Sequence, residues 1–479
     1  MSMCYSKKIF MKTPVIAIFD IGKTNKKLFL IDEQYRIVLE KNEQFDETTD
    51  EDGEPCEDLA QLTDWVLGTF KTVSEDKNFD IQAVNFSAYG ASFVHINTEG
   101  VPVAPLYNYL KPFSDVLKQQ FYEHNGGQAA FSRLAASPVL GNLNSGMQIY
   151  RLKYEQPNVF KNIKYSLHLP QYLSFLLTKH AFSDITSIGC HTNLWNFDKN
   201  EYANWVGEEG ILEKLPPLFP SDFVVKIDAN NGEVLNLPIV KSQKIGVGMH
   251  DSSAALIPYL RSFHEPFVLI STGTWCISMN PFNDVPLTDF ELKNDCLCYM
   301  TYQGKPIKSA RLFAGFEHEV QTKRIAEYFG AAADFFKTIK FDQKIVDILR
   351  GVISDSDGVI LNHPVTVSLK KSAFGDRDLT DFENIEVAYH QLMLDIMTQQ
   401  VFSTRLILGK NTYVHRIFVD GGFSKNPIYM NLLARQFPEI EVFAASVAQA
   451  TAIGAALAIH PHWNTQAVPS NLIDLKYYA

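Results

Sequence analysis

Asp251 lies in the run Gly248-Met249-His250-Asp251-Ser252-Ser253-Ala254-Ala255, a lone carboxylate at a small-residue helix start. Ser271-Thr272-Gly273-Thr274-Trp275 follows it closely. A carboxylate can take a proton from a hydroxyl, and a Thr-Gly-Thr turn can hold phosphate with backbone N–H groups and side-chain hydroxyls. Together they point to phosphoryl transfer from a nucleotide to an alcohol. Taken alone, Asp251 would suit a helix N-cap; the flanking turns shift the reading to a general base.

Such a transfer also needs donors on the phosphates, a metal to neutralise charge and exclusion of water. Asp20, at a strand end beside Gly22 and Thr24, is the candidate Mg²⁺ ligand, since Mg²⁺ keeps several waters and takes few protein carboxylates. The alternative is an ordinary turn aspartate. Thr24, Asn25 and Lys26 are candidates for the transferred phosphoryl, against a solvated hairpin tip. Thr272, Gly273 and Thr274 are phosphate candidates, with Gly273 permitting backbone approach to an anion. In Asp420-Gly421-Gly422-Phe423-Ser424-Lys425-Asn426, two glycines at a helix start suit a nucleoside lying on the backbone, or simply a strand-to-helix turn. His250 either orients Asp251, approaches substrate or packs in the core. The P-loop lysine motif and the protein-kinase catalytic triplet are both missing from the sequence.

The elements that must hold these groups follow from apolar patterning. Val15-Ile16-Ala17-Ile18-Phe19 is a buried strand ending at Asp20, and Leu28-Phe29-Leu30-Ile31 returns beside it. The acidic run from Asp46 to Asp58 reads as a solvated loop, after which Leu59, Leu62, Trp65, Val66 and Phe70 recur with helical period. Ala83 to Ser87 and Phe93 to Ile96 are strands, with a turn at Asn97–Gly100. Residues 115–215 are mainly helical by pattern, and Pro216–Pro220 is a loop. Phe267–Ile270, the Ser271–Thr274 turn and Trp275–Ser278 repeat the strand-turn-strand shape seen at Asp20. Arg416–Val419 runs into the Asp420 turn, with Pro427 opening a helix. Near the end, Gly454, Ala455 and Ala456 allow a helix to pack closely on a neighbour.

Composition narrows the class. At 479 residues the chain exceeds one ordinary core and should form two domains. Its 46% hydrophobic and 20% charged residues are those of a globular protein. A formal net charge of −11 argues against a general nucleic-acid binder. Six scattered cysteines, with Cys296 and Cys298 the one close pair, read as reduced thiols in a cytoplasmic protein rather than a zinc site. Residues 1–12 read as a loose leader, with no signal peptide or membrane span.

The combination of motifs resembles the FGGY carbohydrate kinases, over nearly all of the chain and in the family's order. Asp20–Thr24 resembles the first phosphate hairpin, Gly248–Asp251 the catalytic-base motif, Ser271–Thr274 the second phosphate turn and Asp420–Asn426 the adenosine motif. Ser183-Asp184-Ile185-Thr186-Ser187 with Asn193-Leu194-Trp195-Asn196 resembles the segment after the N-domain helices. The His250-Asp251 pair and the Gly273-Thr274-Trp275 turn are most similar to the rhamnulokinase and L-fuculokinase branch.

The resemblance implies an α/β fold of two actin-like (ribonuclease H-like) ATPase domains with a cleft between them. Residues 13–248 would be the sugar-binding side and 249–463 the nucleotide-binding side. It implies ATP, Mg²⁺ and phosphorylation of a primary hydroxyl of a ketose or deoxyketose, L-fuculose or L-rhamnulose favoured over xylulose or ribulose. Asp251 would be catalytic and Asp20 would hold the metal. Tyr89, Ala91, Ser92, Asn108, His250 and Asp251 would meet the sugar. Thr24, Asn25, Lys26, Thr272, Gly273, Thr274, Gly421, Gly422, Lys425 and Asn426 would meet the nucleotide. The partners would be a small sugar and ATP, with no nucleic acid and no membrane; a homodimer is an allowed assembly. Lys23 stands where many members have a small residue, and Ala91 and Ser92 offer neither carboxylate nor imidazole to the sugar. Tyr89 and Tyr109 could pack against a less polar, 6-deoxy sugar or belong to the core. Rival readings are a silent sugar-and-nucleotide sensor and an actin-like assembly protein.

Overall fold

Continuous apolar runs become central strands because both faces of a sheet are covered. In the computed structural model, which describes residues 12–228, 242–351, 369, 372–409 and 413–479, the first run is the strand Thr13–Ile21, with Val15 to Phe19 fully enclosed. The expected leader apart from Lys12, including Lys7 and Lys8, lies outside the described residues, as does Cys4. The described residues divide into two units. The first is drawn from Met1–Ser262, Tyr299–Lys305 and Ala448–Leu472, the second from Phe263–Cys298, Pro306–Val447 and Ile473–Ala479.

In the first unit, Thr13–Ile21 pairs antiparallel with Lys26–Asp32, which pairs antiparallel with Ile37–Glu43. On its other side it pairs parallel with Phe79–Ala88, and the sheet continues through Gln243–Gly246 to Val224–Ile227. The short strand Met249–His250 also pairs parallel with Phe79–Ala88 and delivers the chain to the helix Asp251–Ser262. The helix Leu59–Ser74, capped by Asp58, buries Leu62, Val66 and Phe70 on this sheet, as the helical spacing predicts.

The second unit repeats the plan. Its sheet runs Cys296–Met300, Pro306–Leu312, Cys276–Asn280, Phe267–Thr272, Arg416–Gly421, Glu441–Ser446, Asp474–Tyr478. The hairpin Phe267–Thr272 with Cys276–Asn280 is antiparallel, and Arg416–Gly421 pairs parallel on the other side. The weak strand-turn-strand repeat in the sequence is therefore a repeat of sheet order. The helices Ala314–Phe329, Ile385–Leu408 and Pro427–Gln436 belong to this unit.

These units differ from a linear division at 248/249. The helix Asp251–Ser262 and the late helix Ala450–Ala458 both belong to the first unit, where they pack together. A Cβ on Gly454 would stand 1.8 Å from the Ala254 carbonyl oxygen, so only glycine permits that approach. The acidic run also departs from its expectation as a solvated loop. It contains the short strands Thr48–Thr49 and Pro55–Glu57, and two of its carboxylates are buried: Asp50 against Lys111 at 2.5 Å and Glu57 against Lys26 at 2.9 Å. Burial of those acids is possible because each meets a buried ammonium. Among the described residues no helix is long and apolar enough to cross a membrane. The described cysteines Cys56, Cys190, Cys276, Cys296 and Cys298 are buried, and among the described residues no three potential ligands cluster into a metal site.

Candidate active site

In the first unit, sheet pairing brings two carboxylates into each other's field. Asp20 sits one residue before the end of its strand, across from Lys27 on one side and Ser87 on the other. Its Oδ2 accepts the Thr451 hydroxyl at 2.6 Å. Burial raises its pKa to about 6; the Thr451 bond and Lys27 oppose that rise, and the charge of Asp251 adds to it. Asp251 opens its helix, where the helix dipole favours an anion. Its Oδ1 accepts the Ser252 N–H at 2.5 Å and the Ser252 hydroxyl at 3.2 Å. Burial outweighs both bonds and pushes its pKa to about 6 as well, although 32% of the side chain remains exposed. These bonds go to the adjacent residue rather than to the second or third N–H of the helix, so Asp251 is a first-turn carboxylate and not the cap that its position alone suggests.

His250 is enclosed beside it. Its Nε2 lies 3.2 Å from Cys190 Sγ and 3.4 Å from Asp251 Oδ1, and its ring stacks on Tyr299 at 5.7 Å. Burial lowers its pKa to about 4, so it is neutral at neutral pH and forms no ion pair with Asp251. The approach to this pair is set by glycine. Gly248 has φ +82°, and a Cβ there would stand 2.5 Å from the Pro170 carbonyl oxygen. Gly90 has no room for a side chain either, because His250 Nε2 would be 2.6 Å from its Cβ.

The loop after Gly90 therefore abuts His250. Ala91 adopts φ +59°, and its carbonyl accepts Gln148 Nε2 at 2.7 Å. Ser92 is buried, and its carbonyl accepts the Leu169 N–H at 3.1 Å. Tyr89 is part of the sheet core, donating its hydroxyl to Glu57 at 2.9 Å with Tyr109 against its ring edge. Asn108 is half-buried; it accepts the Leu110 N–H and donates to Glu47 at 3.2 Å.

At the Gly22–Asn25 tip, Gly22 N–H donates to Asn25 O at 2.9 Å and Thr24 is exposed. Asn25 is engaged by Gln44 Nε2 at 2.7 Å. Lys26 departs from the expectation of a phosphate contact. Its side chain is 2% exposed, and its ammonium is bound by Glu57 at 2.9 Å, Lys23 O at 2.8 Å and Gly22 O at 3.3 Å. It braces the hairpin from beneath, because its side chain points to the buried face of the strand. Glu57 and Thr451 escaped the sequence reading as individual residues. Thr451 had a signal, a lone hydroxyl in an alanine-rich helix; Glu57 had none within its acidic run.

In the second unit, Gly273 N–H donates to Trp275 O at 2.9 Å, closing a tip at which Gly273 and Thr274 are exposed. Thr272 is different. Its hydroxyl donates to Asp420 O at 2.5 Å and accepts the Phe423 N–H at 3.0 Å, while its carbonyl accepts the Gly422 N–H at 2.9 Å. It ties the two turns together, so its hydroxyl is not open to phosphate as expected. Gly421, at φ +90°, lies so close that a Cβ would stand 2.0 Å from Thr272 O. Gly421, Gly422 and Lys425 are exposed. Asn426 caps the Pro427–Gln436 helix through Ile428 N and Tyr429 N and donates to the Tyr389 hydroxyl at 2.6 Å. Its amide is thus committed to the fold rather than offered to a nucleoside. The structure adds Gly315, whose Cβ would meet Gly273 O at 1.8 Å, with Phe316 N–H donating to Thr274 O at 3.1 Å. The start of the Ala314–Phe329 helix is therefore part of the same tip.

A model of the FGGY family of carbohydrate kinases, N-terminal domain, matches residues 15–256, and one of the carbohydrate kinase FGGY C-terminal domain matches residues 264–346. A rhamnulokinase of Halalkalibacterium halodurans is 22% identical over 266 residues, 54% of this chain and 52% of that protein. The chain spans about half the length of the curated relatives it matches. Among solved structures, a carbohydrate kinase from Novosphingobium aromaticivorans superposes with TM-score 0.76 at 22% identity, covering 98% of this chain and 94% of that one. A ligand-bound xylulose kinase from Lactobacillus acidophilus gives 0.75 at 15% identity, covering 97% and 93%. These likenesses bear out the two-domain α/β fold.

Proposed function

The chain belongs to the FGGY family of carbohydrate kinases, and on that premise we propose that it transfers the γ-phosphoryl group of ATP to a primary hydroxyl of a ketose or deoxyketose. L-Rhamnulose and L-fuculose come before xylulose and ribulose, a preference supported by the His250-Asp251 pair, the Gly273-Thr274-Trp275 turn and the rhamnulokinase relatives. The observation that carries the reading is Asp251: a part-exposed carboxylate at a helix start, with its pKa raised to about 6 and a neutral histidine beside it.

Asp251 takes the proton of the attacking hydroxyl. A base is most effective when its pKa lies near the working pH, and a value near 6 leaves it ionised yet basic. His250, neutral and stacked on Tyr299, limits the space beside the carboxylate without neutralising it. The wall formed by Gly90, Ala91 and Ser92 meets the sugar through its backbone and through shape. In the second unit the exposed Gly273, Thr274, Gly421, Gly422 and Lys425 hold the nucleotide through N–H groups, a hydroxyl and an ammonium. Thr272 and Asn426 keep those turns in place.

The carboxylates suit Mg²⁺. Asp20 offers a hard oxygen, and its mutual repulsion with Asp251 would be relieved by a cation. A sparse set of protein ligands matches an ion that takes most of its shell from water and phosphate. When bound, Mg²⁺ would neutralise charge on the transferring phosphoryl group. ADP release measured over L-rhamnulose, L-fuculose, xylulose, ribulose and glycerol, for the wild type and Asp251→Asn, tests the proposal. Sugar-dependent release that Asp251→Asn abolishes is expected. No release with any sugar, despite binding of sugar and ATP, would make the protein a sensor instead.

A further inference from the structure

Asp184 is a carboxylate with no exposure and no role in the transfer described above. Its Oδ1 accepts the Thr186 N–H at 2.9 Å and also the Thr186 hydroxyl; its Oδ2 accepts the Ser221 hydroxyl at 2.5 Å. All three partners donate, which suits a carboxylate that is ionised and acceptor-only. The Thr186 hydroxyl has spent its proton on Asp184, so its oxygen is left as an acceptor. It receives the backbone N–H of His250 at 2.9 Å, one residue before Asp251.

Other restraints act on the same stretch. Gln171 Nε2 donates to Gly248 O at 2.8 Å, and strand pairing matches Met249 with Ser87 and His250 with Ala88. Cys190 meets the His250 ring, whereas among the described residues the Thr186 bond is the side-chain bond that holds the backbone of the residue adjoining the candidate base. Its direction depends on Asp184: a hydroxyl is a free rotor unless a strong acceptor fixes its proton, and a buried amide N–H facing a rotated hydroxyl would lose its partner.

We propose that Asp184 and Thr186 are positioning residues for the reaction, with Asp184 locking the Thr186 hydroxyl so that it holds the His250 backbone and thereby sets the orientation of Asp251. This rests on the assignment of Asp251 as the proton acceptor. Their bonds run to each other, Ser221 and the His250 backbone, and those of Asp251 to Ser252, so the expected signature is a loss of turnover with nucleotide binding preserved.

The test compares Thr186→Val, Thr186→Ser, Ser221→Ala and Asp251→Asn in the full chain, each with kcat and KM for ATP measured at saturating sugar. Valine keeps the shape of threonine but cannot accept the His250 N–H; serine restores the hydroxyl alone. Thr186→Val should lose about 10- to 100-fold in kcat, the scale of a misplaced catalytic group, with KM for ATP within about twofold. Thr186→Ser should recover most of the loss. Ser221→Ala, which removes one donor from Asp184, should lose several-fold in kcat and supplies the test if the valine variant does not fold. With Asp251→Asn inactive, wild-type kcat in Thr186→Val or Ser221→Ala, or a serine variant as impaired as the valine one, overturns the inference alone. An active Asp251→Asn overturns the base assignment and the inference with it.

Discussion

The Asp20 tip of the first unit and the Gly273 tip of the second occupy the same place in sheets of the same order. Each closes the central antiparallel hairpin, and each adjoins a parallel strand on its other side. Their chemistry diverges. The first tip has a carboxylate facing a second carboxylate across the sheet end, and beneath it a lysine sealed against Glu57. The second has exposed glycines with no acid at the equivalent turn; its threonine hydroxyl is tied to the neighbouring strand. A duplicated topology thus fixes where groups can stand, and residue type decides whether the position presents a carboxylate or open backbone.

The sharpest way to break this contrast is Asp251→Asn. It should lower kcat by about 10²–10⁴-fold, the usual contribution of a general base, while ATP binding measured by calorimetry is retained. An equal loss of ATP binding would mean that the two tips are not chemically separate. Next is Lys26→Met, which leaves Glu57 buried without its closest cation. Loss of about 3 kcal/mol in denaturant unfolding is expected, as for a broken buried pair. A variant that kept its stability and lost only ATP affinity would return Lys26 to the phosphate.

Gly273→Ala addresses the other tip. The nearest atom to its Cβ is Trp275 O at 3.9 Å, so the fold should tolerate the methyl group. KM for ATP should still rise about tenfold, equivalent to one lost interaction, with an unchanged melting temperature. The pH profile sharpens the first tip: kcat/KM should hold above pH 6 and fall as Asp251 is protonated below it, about tenfold by pH 5 for a single proton. The smallest effect is on stability. Because folding raises the Asp251 pKa from 3.8 to about 6, its ionised form weakens the fold; the penalty builds between those values and is complete above pH 6. Asp251→Asn should therefore melt roughly 1–3 °C higher at pH 7.5 and show no gain at pH 3.5.

Much of this was legible in the linear chain. Val15–Phe19 and Phe267–Ile270 are apolar without interruption, which puts Asp20 and Gly273 at strand ends, and the small residues after Asp251 signal the helix that it opens. What the chain concealed was direction. Lys26, Thr272 and Asn426 all lie in the turns expected to be functional, yet each side chain faces inward to a partner remote in sequence: Glu57, Asp420 and Tyr389. Strand parity sets which side a residue takes, and a shift of one residue at a turn reverses it. The division into units was concealed for a similar reason, since the contact of Gly454 with Ala254 joins residues 200 apart in sequence.

The late helix Ala450–Ala458 brings with it a constraint on synthesis. It supplies the glycine that seats the Asp251 helix and the Thr451 hydroxyl that holds Asp20. A nascent chain that has passed residue 262 has made every strand of the first sheet but neither of these groups. The second unit's stretches Phe263–Cys298 and Pro306–Val447 must emerge before the first can close around its two carboxylates. During synthesis from the N-terminus the first unit therefore stays incomplete, and its charged centre unenclosed, until Ala450–Ala458 has been made.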